Sequence, residues 1–437
     1  MGQHDSGTDP GAAPPLFDRR LAAILALALA LRVALLLVAL GNQARFDSTD
    51  VPEYLRLARD LDGAYADPDD PLFGVGLKRT PLYPVFLAAV LALSGRNLEW
   101  ATLLTGIAAS VATVWVTFVL AQDLFDRAAG YAGALLLAVD PASVVWSNFL
   151  QPEALFTLLL ASGVVLWYRA QRRASPRLAA AAGLLVGAAV LTRPIGLYLA
   201  LVLVAVGWLV AKADLRRRVV LALAFLAVAA LPPAGWVARN AAVTGVPLLS
   251  TVESLNLLHY RAAGAVAEEQ DISLNRARLR LQQQLDARTA PGDNPAEVAR
   301  VRSALGIRTL LDHPAGAAVT WVKGAGRMLF GPARAPLLIL LGEQDPVALD
   351  SPRKVAWVAL QWAILAVLYA CALAGAVIAV RRRRWAALAV LGALIAYFVL
   401  VSSGTEAFSR FRVPMVPYVA ALGGCGAASV AARFARR

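Results

Sequence analysis

Charged residues are scarce in this sequence. Asp, Glu, Lys and Arg make up 16% of its 437 residues, whereas 59% are hydrophobic and the mean hydropathy is +0.61. Soluble proteins average about 25% charged and about 45–50% apolar residues, so a water-soluble globular protein and a disordered chain are both excluded. At about 20 apolar residues for each membrane span, the chain has room for about ten spans and sizeable loops. The composition predicts an all-α polytopic membrane protein.

Cysteine, histidine and lysine are rare as well. Cys371 and Cys425 both lie in apolar segments and lack the spacing of a disulfide framework or a metal site. Lysine accounts for only four of the 42 basic residues, and these charges are scattered among apolar segments. We therefore expect no nucleic acid partner. The sequence has no Walker loop, dinucleotide fingerprint or HExxH motif, and we expect no metal and no cofactor.

The arginines indicate how the chain crosses the membrane. Arg19 and Arg20 follow a polar tail and precede an apolar run, Leu21 to Leu40, that is long for a signal peptide and reads as a retained first span. Further apolar segments lie at 81–95, 100–121, 129–147, 153–169, 178–192, 196–211, 217–236, 355–380, 385–403 and 412–432. The connections 169–177, 212–218 and 381–384 and the end 433–437 are strongly basic, so the positive-inside rule predicts that they are cytoplasmic.

This orientation requires one apolar segment not to cross. The first span delivers the chain outside at about residue 42, and counting back from the basic loop 169–177 also puts residues 95–99 outside. Segment 81–95 must then lie at the outer surface, for which its 15 residues and Pro81-Leu-Tyr-Pro84 are suited. The count leaves ten spans and two cytoplasmic termini.

Four regions follow from this topology. We expect a cytoplasmic tail at 1–20, a transmembrane module at 21–236 with an outer loop at 42–99, an outer loop at 237–354, and C-terminal spans at 355–437. Within 237–354 we expect a polar helical part at about 268–312, an amphipathic surface helix at 316–331, and no soluble domain with its own core.

Ionisable residues at the outer surface are candidates for function because a charge there is costly to bury. Asp50 follows the first span, and Pro52 and Glu53 complete a helix-capping pattern with it. Asp50 can therefore be a helix cap or a general base towards a hydroxyl. Lys78 and Arg79 precede a Pro-x-x-Pro turn and can either grip a phosphate or contact lipid headgroups.

Three further clusters fall on the same side. Glu153 opens a span, where it can serve as a second carboxylate, and Asp140 is an alternative to it. Arg193 and Arg239 stand at outer span ends, where they cap carbonyls or contact phosphate. Finally, Arg410 and Arg412 lie beside Glu406 and a Pro-x-x-Pro entry, a denser set of charges than membrane anchoring requires.

In this order, the clusters resemble the GT-C superfamily of membrane glycosyltransferases, in particular the bacterial aminoarabinose transferases and protein O-mannosyltransferases. The likeness covers about residues 20–435. It rests on Asp50-x-x-x-Tyr54, on Arg79-Thr-Pro-Leu-Tyr83-Pro, on Glu153, on Leu-Thr-Arg193-Pro and Arg239-Asn, and on Arg410-Phe-Arg412-x-Pro-x-x-Pro.

The resemblance implies the GT-C fold and transfer of a sugar, with inversion, from a polyprenyl-phosphate donor to an acceptor hydroxyl outside the cytoplasmic membrane. It implies Asp50 as general base and Glu153 as the residue that positions the acceptor. Lys78, Arg79, Tyr83, Arg193, Arg239, Arg410 and Arg412 are the implied substrate- and phosphate-binding residues. Val51 departs from the family pattern and Asp47-Ser48 comes just earlier, so Asp47 competes as the base.

Two other functions stay open. The chain could transport polyprenyl-linked glycans across the membrane, although inverted repeats, which are typical of transporters, are absent from the sequence. It could also be a ligase that moves larger glycans from the same carrier. The sequence identifies membrane lipids as neighbours and leaves the sugar and the acceptor open.

Overall fold

The computed structural model describes residues 18–47, 50–211, 213–343, 345 and 348–435. Within these residues the structure is helical and contains no strand. The predicted tail up to residue 17, Lys212 of the second basic loop, and Arg436 and Arg437 of the basic end lie outside the described residues. This result confirms an all-α membrane protein.

The described residues form twenty-four α-helices. The first six are α1 Arg19–Val38, α2 Ala44–Asp47, α3 Val51–Arg59, α4 Leu61–Ala66, α5 Phe73–Lys78 and α6 Leu82–Leu93. The next eight are α7 Leu98–Thr102, α8 Ala108–Leu124, α9 Arg127–Ala138, α10 Pro141–Trp146, α11 Glu153–Arg173, α12 Pro176–Thr192, α13 Leu199–Val210 and α14 Leu215–Thr244. A π-helical turn, Leu103–Ile107, joins α7 to α8, and a 3₁₀ turn, Pro194–Gly196, precedes α13.

The remaining ten helices form a surface region and the C-terminal spans. They are α15 Val252–Asn256, α16 Ala263–Glu269, α17 Leu274–Asp286, α18 Pro295–Asp312, α19 Pro314–Phe330, α20 Arg334–Leu340, α21 Pro352–Arg381, α22 Trp385–Ser402, α23 Ser409–Arg412 and α24 Val416–Phe434. A π-helical turn, Leu257–Ala262, joins α15 to α16, and a 3₁₀ turn, Val413–Met415, joins α23 to α24.

Seven of the ten predicted spans are helical segments long and apolar enough to cross a membrane. They are Arg19–Val38, Leu98–Leu124, Glu153–Arg173, Leu215–Thr244, Pro352–Arg381, Trp385–Ser402 and Ser409–Phe434. Pro176–Thr192 and Pro194–Val210 correspond to two more and are shorter apolar segments. The predicted surface segment 81–95 contains only the 12-residue α6, about 18 Å long at 1.5 Å per residue, which is too short for a bilayer core of about 30 Å.

The predicted span 129–147 is not one continuous helix. Helix α9 ends at Ala138, and α10 begins at Pro141, which has no backbone N–H to donate to the preceding turn. The Asp140 carboxylate caps α10 by accepting a hydrogen bond of 2.8 Å from the Ser143 backbone N–H. Asp140 is fully buried in this role, which accounts for an acidic residue in an otherwise apolar segment.

The region between α14 and α21 has a small core of its own, contrary to the expectation from sequence. Leu258 and Ala262 pack with Ala277, Leu281 and Leu285. The last three follow one another at intervals of four residues, so they form one apolar face on an otherwise Arg- and Gln-rich helix. The predicted surface segment 316–331 corresponds to helix α19, Pro314–Phe330, which exposes Val322 and Phe330.

The helices put the basic connections 169–177 and 212–218 at one end of the bundle. Asp18, before α1, pairs with Arg127 of α9 at 2.9 Å, and Asp123 of α8 pairs with Arg169 of α11 at 2.6 Å. Arg217 of α14 donates to the carbonyl of Ala174, after α11. Because α1 and α11 run away from and towards this end respectively, the end of α1 and the start of α11 lie at the opposite end. The candidate residues gather there.

Candidate active site

Asp50 occupies the cap position of α3 but does not cap it. Its side chain makes no hydrogen bond to the helix N–H groups, so the capping interpretation is wrong. Instead, the two carboxylate oxygens bind two guanidinium groups. Oδ1 lies 2.7 Å from Arg79 Nη2, and Oδ2 lies 2.7 Å from Arg410 Nη1. Asp50 therefore joins the first outer loop to the loop before α24.

Glu53 binds the two cations of the Lys78–Arg79 pair. Lys78 Nζ donates to Glu53 Oε1 at 2.7 Å, and Arg79 donates to Oε2 from Nε at 2.8 Å and from Nη2 at 2.6 Å. The Arg79 guanidinium also lies 5.0 Å from the centre of the Tyr54 ring. The sequence indicated Glu53 only as part of a capping box and did not predict its ion pairs with Lys78 and Arg79.

Glu153 is the most deeply buried carboxylate of the site. It begins α11, and its side chain is 1% exposed. Oε1 accepts hydrogen bonds from Arg193 Nη1 at 2.6 Å and from Arg410 Nε, whereas Oε2 receives none from the described residues. A carboxylate in such a position needs cationic partners because burying an isolated charge is costly.

Aromatic rings hold the two buried arginines of Glu153 in place. The Arg193 guanidinium lies 5.6 Å from the centre of the Phe411 ring and 6.0 Å from that of Phe156. The Arg410 guanidinium lies 5.7 Å from the centre of the Trp146 ring. These distances are in the range of cation–π contacts, which add to the ion pairs in fixing the planes of the guanidinium groups.

Seven side chains thus form one continuous charge network. In order of contact they are Lys78, Glu53, Arg79, Asp50, Arg410, Glu153 and Arg193. Four cations face three carboxylates, so the network has one excess positive charge. Side-chain exposure is 32% at Asp50 and 26% at Lys78 but 1% at Glu153, so a ligand would approach from the Asp50 and Lys78 side.

The network sets the protonation state of its two outer carboxylates. Burial alone would raise the pKa of Asp50, but the charges and hydrogen bonds of Arg410 and Arg79 outweigh it and hold the pKa well below its usual range. The pKa of Glu53 is lowered in the same way, because the cations Arg79 and Lys78 outweigh its burial. Both groups are ionised near neutral pH.

Four predicted residues lie outside this network. Asp47 ends α2 and is exposed. Tyr83 is buried on α6 with its ring centre 5.0 Å from that of Tyr54. Arg239 lies between the rings of Phe73 and Trp236, 5.6 and 5.0 Å from their centres.

Arg412 is the fourth residue outside the network. Its side chain is fully buried, and Nη1 donates to the carbonyls of Met328, Leu329 and Gly331. Side chains two positions apart in a helix point in directions that differ by about 200°, so Arg410 and Arg412 cannot both face Asp50. Arg412 instead ties α23 to the end of α19.

Acidic residues also accompany the site without forming a metal-binding group. The first outer loop contains two Asp-x-Asp pairs, Asp60 with Asp62 and Asp67 with Asp69. Asp60 caps α4 through the Gly63 N–H, and Asp67 accepts a hydrogen bond from the Asp69 N–H. Within the part of the chain that the structure describes, no three His, Cys, Asp or Glu side chains are arranged to hold a metal ion.

Comparisons with known proteins agree with the predicted resemblance. Residues 78–236 match the family model of dolichyl-phosphate-mannose-protein mannosyltransferases. This segment contains Lys78, Arg79, Glu153 and Arg193 of the network. No curated protein matches the sequence.

Solved structures match nearly the whole chain at low sequence identity. The archaeal oligosaccharyltransferase AglB from Archaeoglobus fulgidus, in complex with an inhibitory peptide and a dolichol-phosphate, is 14% identical over 93% of this chain and 50% of that chain, with a TM-score of 0.52. Its apo form is 16% identical over 92% of this chain and 50% of that chain, with a TM-score of 0.53. ArnT from Cupriavidus metallidurans bound to undecaprenyl phosphate is 17% identical over 93% of this chain and 75% of that chain, with a TM-score of 0.40.

The chain spans about half the length of the oligosaccharyltransferase structures that it matches. The likeness to these structures concerns the fold, and the family match concerns residues 78–236. The chain therefore shares its fold with the AglB structures, and residues 78–236 match the mannosyltransferase family model.

Proposed function

We propose that this protein is an integral-membrane glycosyltransferase that moves a sugar from a polyprenyl-phosphate donor to an acceptor hydroxyl. The observation that carries the proposal is the contact of Asp50 with both Arg79 and Arg410 at one end of the bundle. It combines a carboxylate that can take a proton with cations that can bind a phosphate. Glycosyl transfer from a lipid phosphate needs both groups within reach of one sugar.

The reaction assigns each group one task. The acceptor oxygen forms a bond to the anomeric carbon while its proton passes to an oxygen of Asp50. The bond from the anomeric carbon to the phosphate oxygen breaks, and its electron pair leaves with the polyprenyl phosphate. Arg79 and Lys78 stabilise the charge that develops on the phosphate. Attack opposite the leaving phosphate inverts the anomeric configuration.

Glu153 and its two arginines have a positioning task in this proposal. Arg410 binds Glu153 and Asp50 at once, so it fixes the direction of the Asp50 carboxylate. Arg193 is bound to Glu153 between two rings, which favours a structural role for it over contact with substrate. Glu153 itself borders the site through Arg410 and can orient the acceptor.

The basic end of the bundle supports an extracytoplasmic site. Positively charged connections between spans stay in the cytoplasm, and Arg169 and Arg217 lie at the end opposite Asp50. We therefore propose that the protein lies in the cytoplasmic membrane, that the site faces away from the cytoplasm, and that both termini are cytoplasmic. Membrane lipids and a lipid-linked sugar would be the partners, with the acceptor being a lipid, a glycan or a protein.

The family description and one similar structure support the donor class. The matching family is named for dolichyl-phosphate-mannose, and the AglB structure contains a dolichol-phosphate. The fold likeness to an oligosaccharyltransferase also favours a second candidate, a ligase that transfers a larger glycan from the same type of carrier. A transporter of polyprenyl-linked glycans is the third candidate, and it would not need Asp50 as a base.

Release of free polyprenyl phosphate distinguishes these candidates. Purified protein is incubated with polyprenyl-phosphate monosaccharides and with lipid-linked oligosaccharides, in the presence and absence of a chelator. We expect release from a monosaccharide donor that resists the chelator, because arginine and lysine neutralise the carboxylates of the site. Release from oligosaccharide donors alone would indicate the ligase, and loss of release on chelation would overturn metal independence.

A further inference from the structure

A further carboxylate stands beside the charge network without belonging to it. Glu253 lies in the short helix α15, two residues after Thr251, whose backbone N–H donates to the carbonyl of Leu77 at 3.0 Å. The preceding residue, Ser250, donates from its hydroxyl to the carbonyl of Lys78 at 2.6 Å. These two bonds fix the start of α15 against the turn that carries Lys78, on the side from which a ligand would approach the network.

Glu253 also lies near the end of α22 and the turn before α13. Its charge acts on the hydroxyl of Tyr397 in α22, and that hydroxyl donates to the carbonyl of Ile195. Ile195 follows Arg193 of the network by two residues. Glu253 therefore lies between the elements that carry Lys78 and Arg193, which are the two ends of the network.

The Glu253 carboxylate is free to bind a ligand. Within the residues that the structure describes, it takes part in no hydrogen bond and no ion pair. The cation that acts on it, Arg261, donates instead to Glu406 at 2.9 Å and to the carbonyl of Val401 at 2.6 Å. The Glu253 side chain is exposed, yet the surrounding protein desolvates the carboxylate enough to raise its pKa. An exposed group with that much protein around it lies in a recess that a ligand can enter.

An unpaired carboxylate in a recess suits a ligand that brings hydrogen-bond donors. An ionised glutamate accepts at two oxygens and donates from neither, so it repels a phosphate and attracts hydroxyl groups. Tyr198, whose charge also acts on Tyr397, is 57% exposed and adds an aromatic ring with a hydroxyl at its tip. Together, Glu253 and Tyr198 complement the polar hydroxyl groups and the apolar C–H face of a sugar.

We propose that Glu253 recognises the sugar of the lipid-linked donor by accepting hydrogen bonds from its hydroxyl groups. This inference rests on the proposed function, because it takes the donor phosphate to bind at Lys78 and Arg79, next to the start of α15. The sugar is bonded directly to that phosphate, so it lies between α15 and Asp50. Glu253 then determines which sugar is accepted and takes no part in the proton transfer.

Binding of lipid phosphates with and without a sugar tests this inference and requires no turnover. The full-length protein in detergent is titrated with undecaprenyl phosphate and with its mannose, glucose, galactose and arabinose conjugates, and the affinities are measured by microscale thermophoresis. We expect at least one conjugate to bind about tenfold more tightly than undecaprenyl phosphate, because hydrogen bonds to a charged acceptor are strong. Glu253→Gln should remove most of this preference and leave the affinity for undecaprenyl phosphate within about threefold of wild type.

A second variant and a control tie the preference to the recess. Tyr198→Ala removes the exposed ring and should lower the same preference. Glu268→Gln makes the matched change at an exposed carboxylate of α16, which pairs with Lys323, and should leave every affinity unchanged.

Three results would overturn the inference. They are equal affinity of the wild type for undecaprenyl phosphate and all four conjugates, an undiminished preference in Glu253→Gln, and an equal loss of affinity for all five lipids in that variant. The last result would show that Glu253 only supports the structure of the phosphate site. If the wild type prefers a conjugate but releases no polyprenyl phosphate from it, the proposed glycosyl transfer fails, whereas sugar recognition by Glu253 stands.

Discussion

The guanidinium of Arg410 binds the carboxylates of both Asp50 and Glu153. Nη1 lies 2.7 Å from Asp50 Oδ2, while Nε donates to Glu153 Oε1. Arginine suits this bridge because its planar group offers several donors in fixed directions, whereas lysine offers one charged atom. The bridge links the outer loop after α1 to the start of α11, so the candidate base and the buried carboxylate share one orientation.

Replacing Arg410 by lysine should therefore separate charge from geometry. We expect Arg410→Lys to keep the protein folded but to lower the rate of polyprenyl phosphate release at least about 100-fold, since misplacement of a catalytic group by about 1 Å has that effect. Release is measured at saturating donor, and Arg96→Lys, in the turn after α6, is the control. A rate within threefold of wild type would contradict the bridging role.

Asp50 should also compete with the phosphate of the donor. Its carboxylate binds the donors of Arg79 and Arg410 that a phosphate would use. We expect Asp50→Asn to abolish turnover and yet to bind undecaprenyl phosphate up to about tenfold more tightly, because it removes a competing negative charge. Binding is measured by microscale thermophoresis or calorimetry.

The control for this measurement is Asp62→Asn. Asp62 lies in the same outer loop, is exposed and belongs to no ion pair within the described residues. Its replacement removes the same charge without freeing an arginine of the network, so the affinity should stay at the wild-type value. Equal tightening by both variants would indicate a general charge effect, and no tightening by Asp50→Asn would contradict competition.

The pH dependence of turnover follows from the lowered pKa of Asp50. Its neighbours Arg410 and Arg79 keep the carboxylate ionised, so protonation that inactivates it sets in only below the ordinary aspartate pKa of about 3.9. The stabilisation from this ion pair is present above that ordinary value and is lost as the pH falls through the lowered pKa. We expect kcat/KM to be flat between about pH 5 and pH 7. An acid limb centred near pH 6 would show that the base is another group or that the network opens in solution.

The buried pair of Glu153 and Arg193 makes a prediction about stability. Glu153→Gln removes the carboxylate partner of the buried Arg193, whereas Arg410 keeps its ion pair with Asp50, and should lower the free energy of unfolding by about 3–5 kcal/mol. The double variant Glu153→Gln with Arg193→Met removes this unpaired charge and should recover part of that loss. Unfolding in mixed micelles measures both. Additive destabilisation by the two substitutions would show that the pair is not coupled.

The sequence predicts which residues form the site better than it predicts which of them form ion pairs with one another. Asp50, Arg79, Glu153, Arg193 and Arg410 were identifiable because charged residues stand out against apolar spans and recur in a family order. Glu53 was assigned only to a capping box. A Glu three residues after an Asp fits a capping box, but the same spacing also puts two carboxylates on one face of a helix, where both can bind cations. The ion pairs themselves join residues up to 360 positions apart, which no local pattern contains.

Three other differences between the sequence predictions and the structure have identifiable physical reasons. The fixed turn geometry of a helix rules out a shared face for Arg410 and Arg412, so the sequence could have excluded one of them. Pro141 could likewise have marked the break between α9 and α10. The core of α15 to α18 was harder to foresee, because three apolar residues on an Arg- and Gln-rich helix become a face only when a partner helix covers them.

The most direct test of the proposed function compares Asp50 with its competitor. Polyprenyl phosphate release from a panel of polyprenyl-phosphate sugars is followed for wild type, Asp50→Asn, Asp47→Asn and Asp62→Asn. We expect Asp50→Asn to lose at least about 1,000-fold in rate, as for a group that acts as the essential base, and the other two variants to match wild type. Loss in Asp47→Asn with activity retained in Asp50→Asn would move the base to Asp47. Full activity in both would contradict general-base catalysis from this loop.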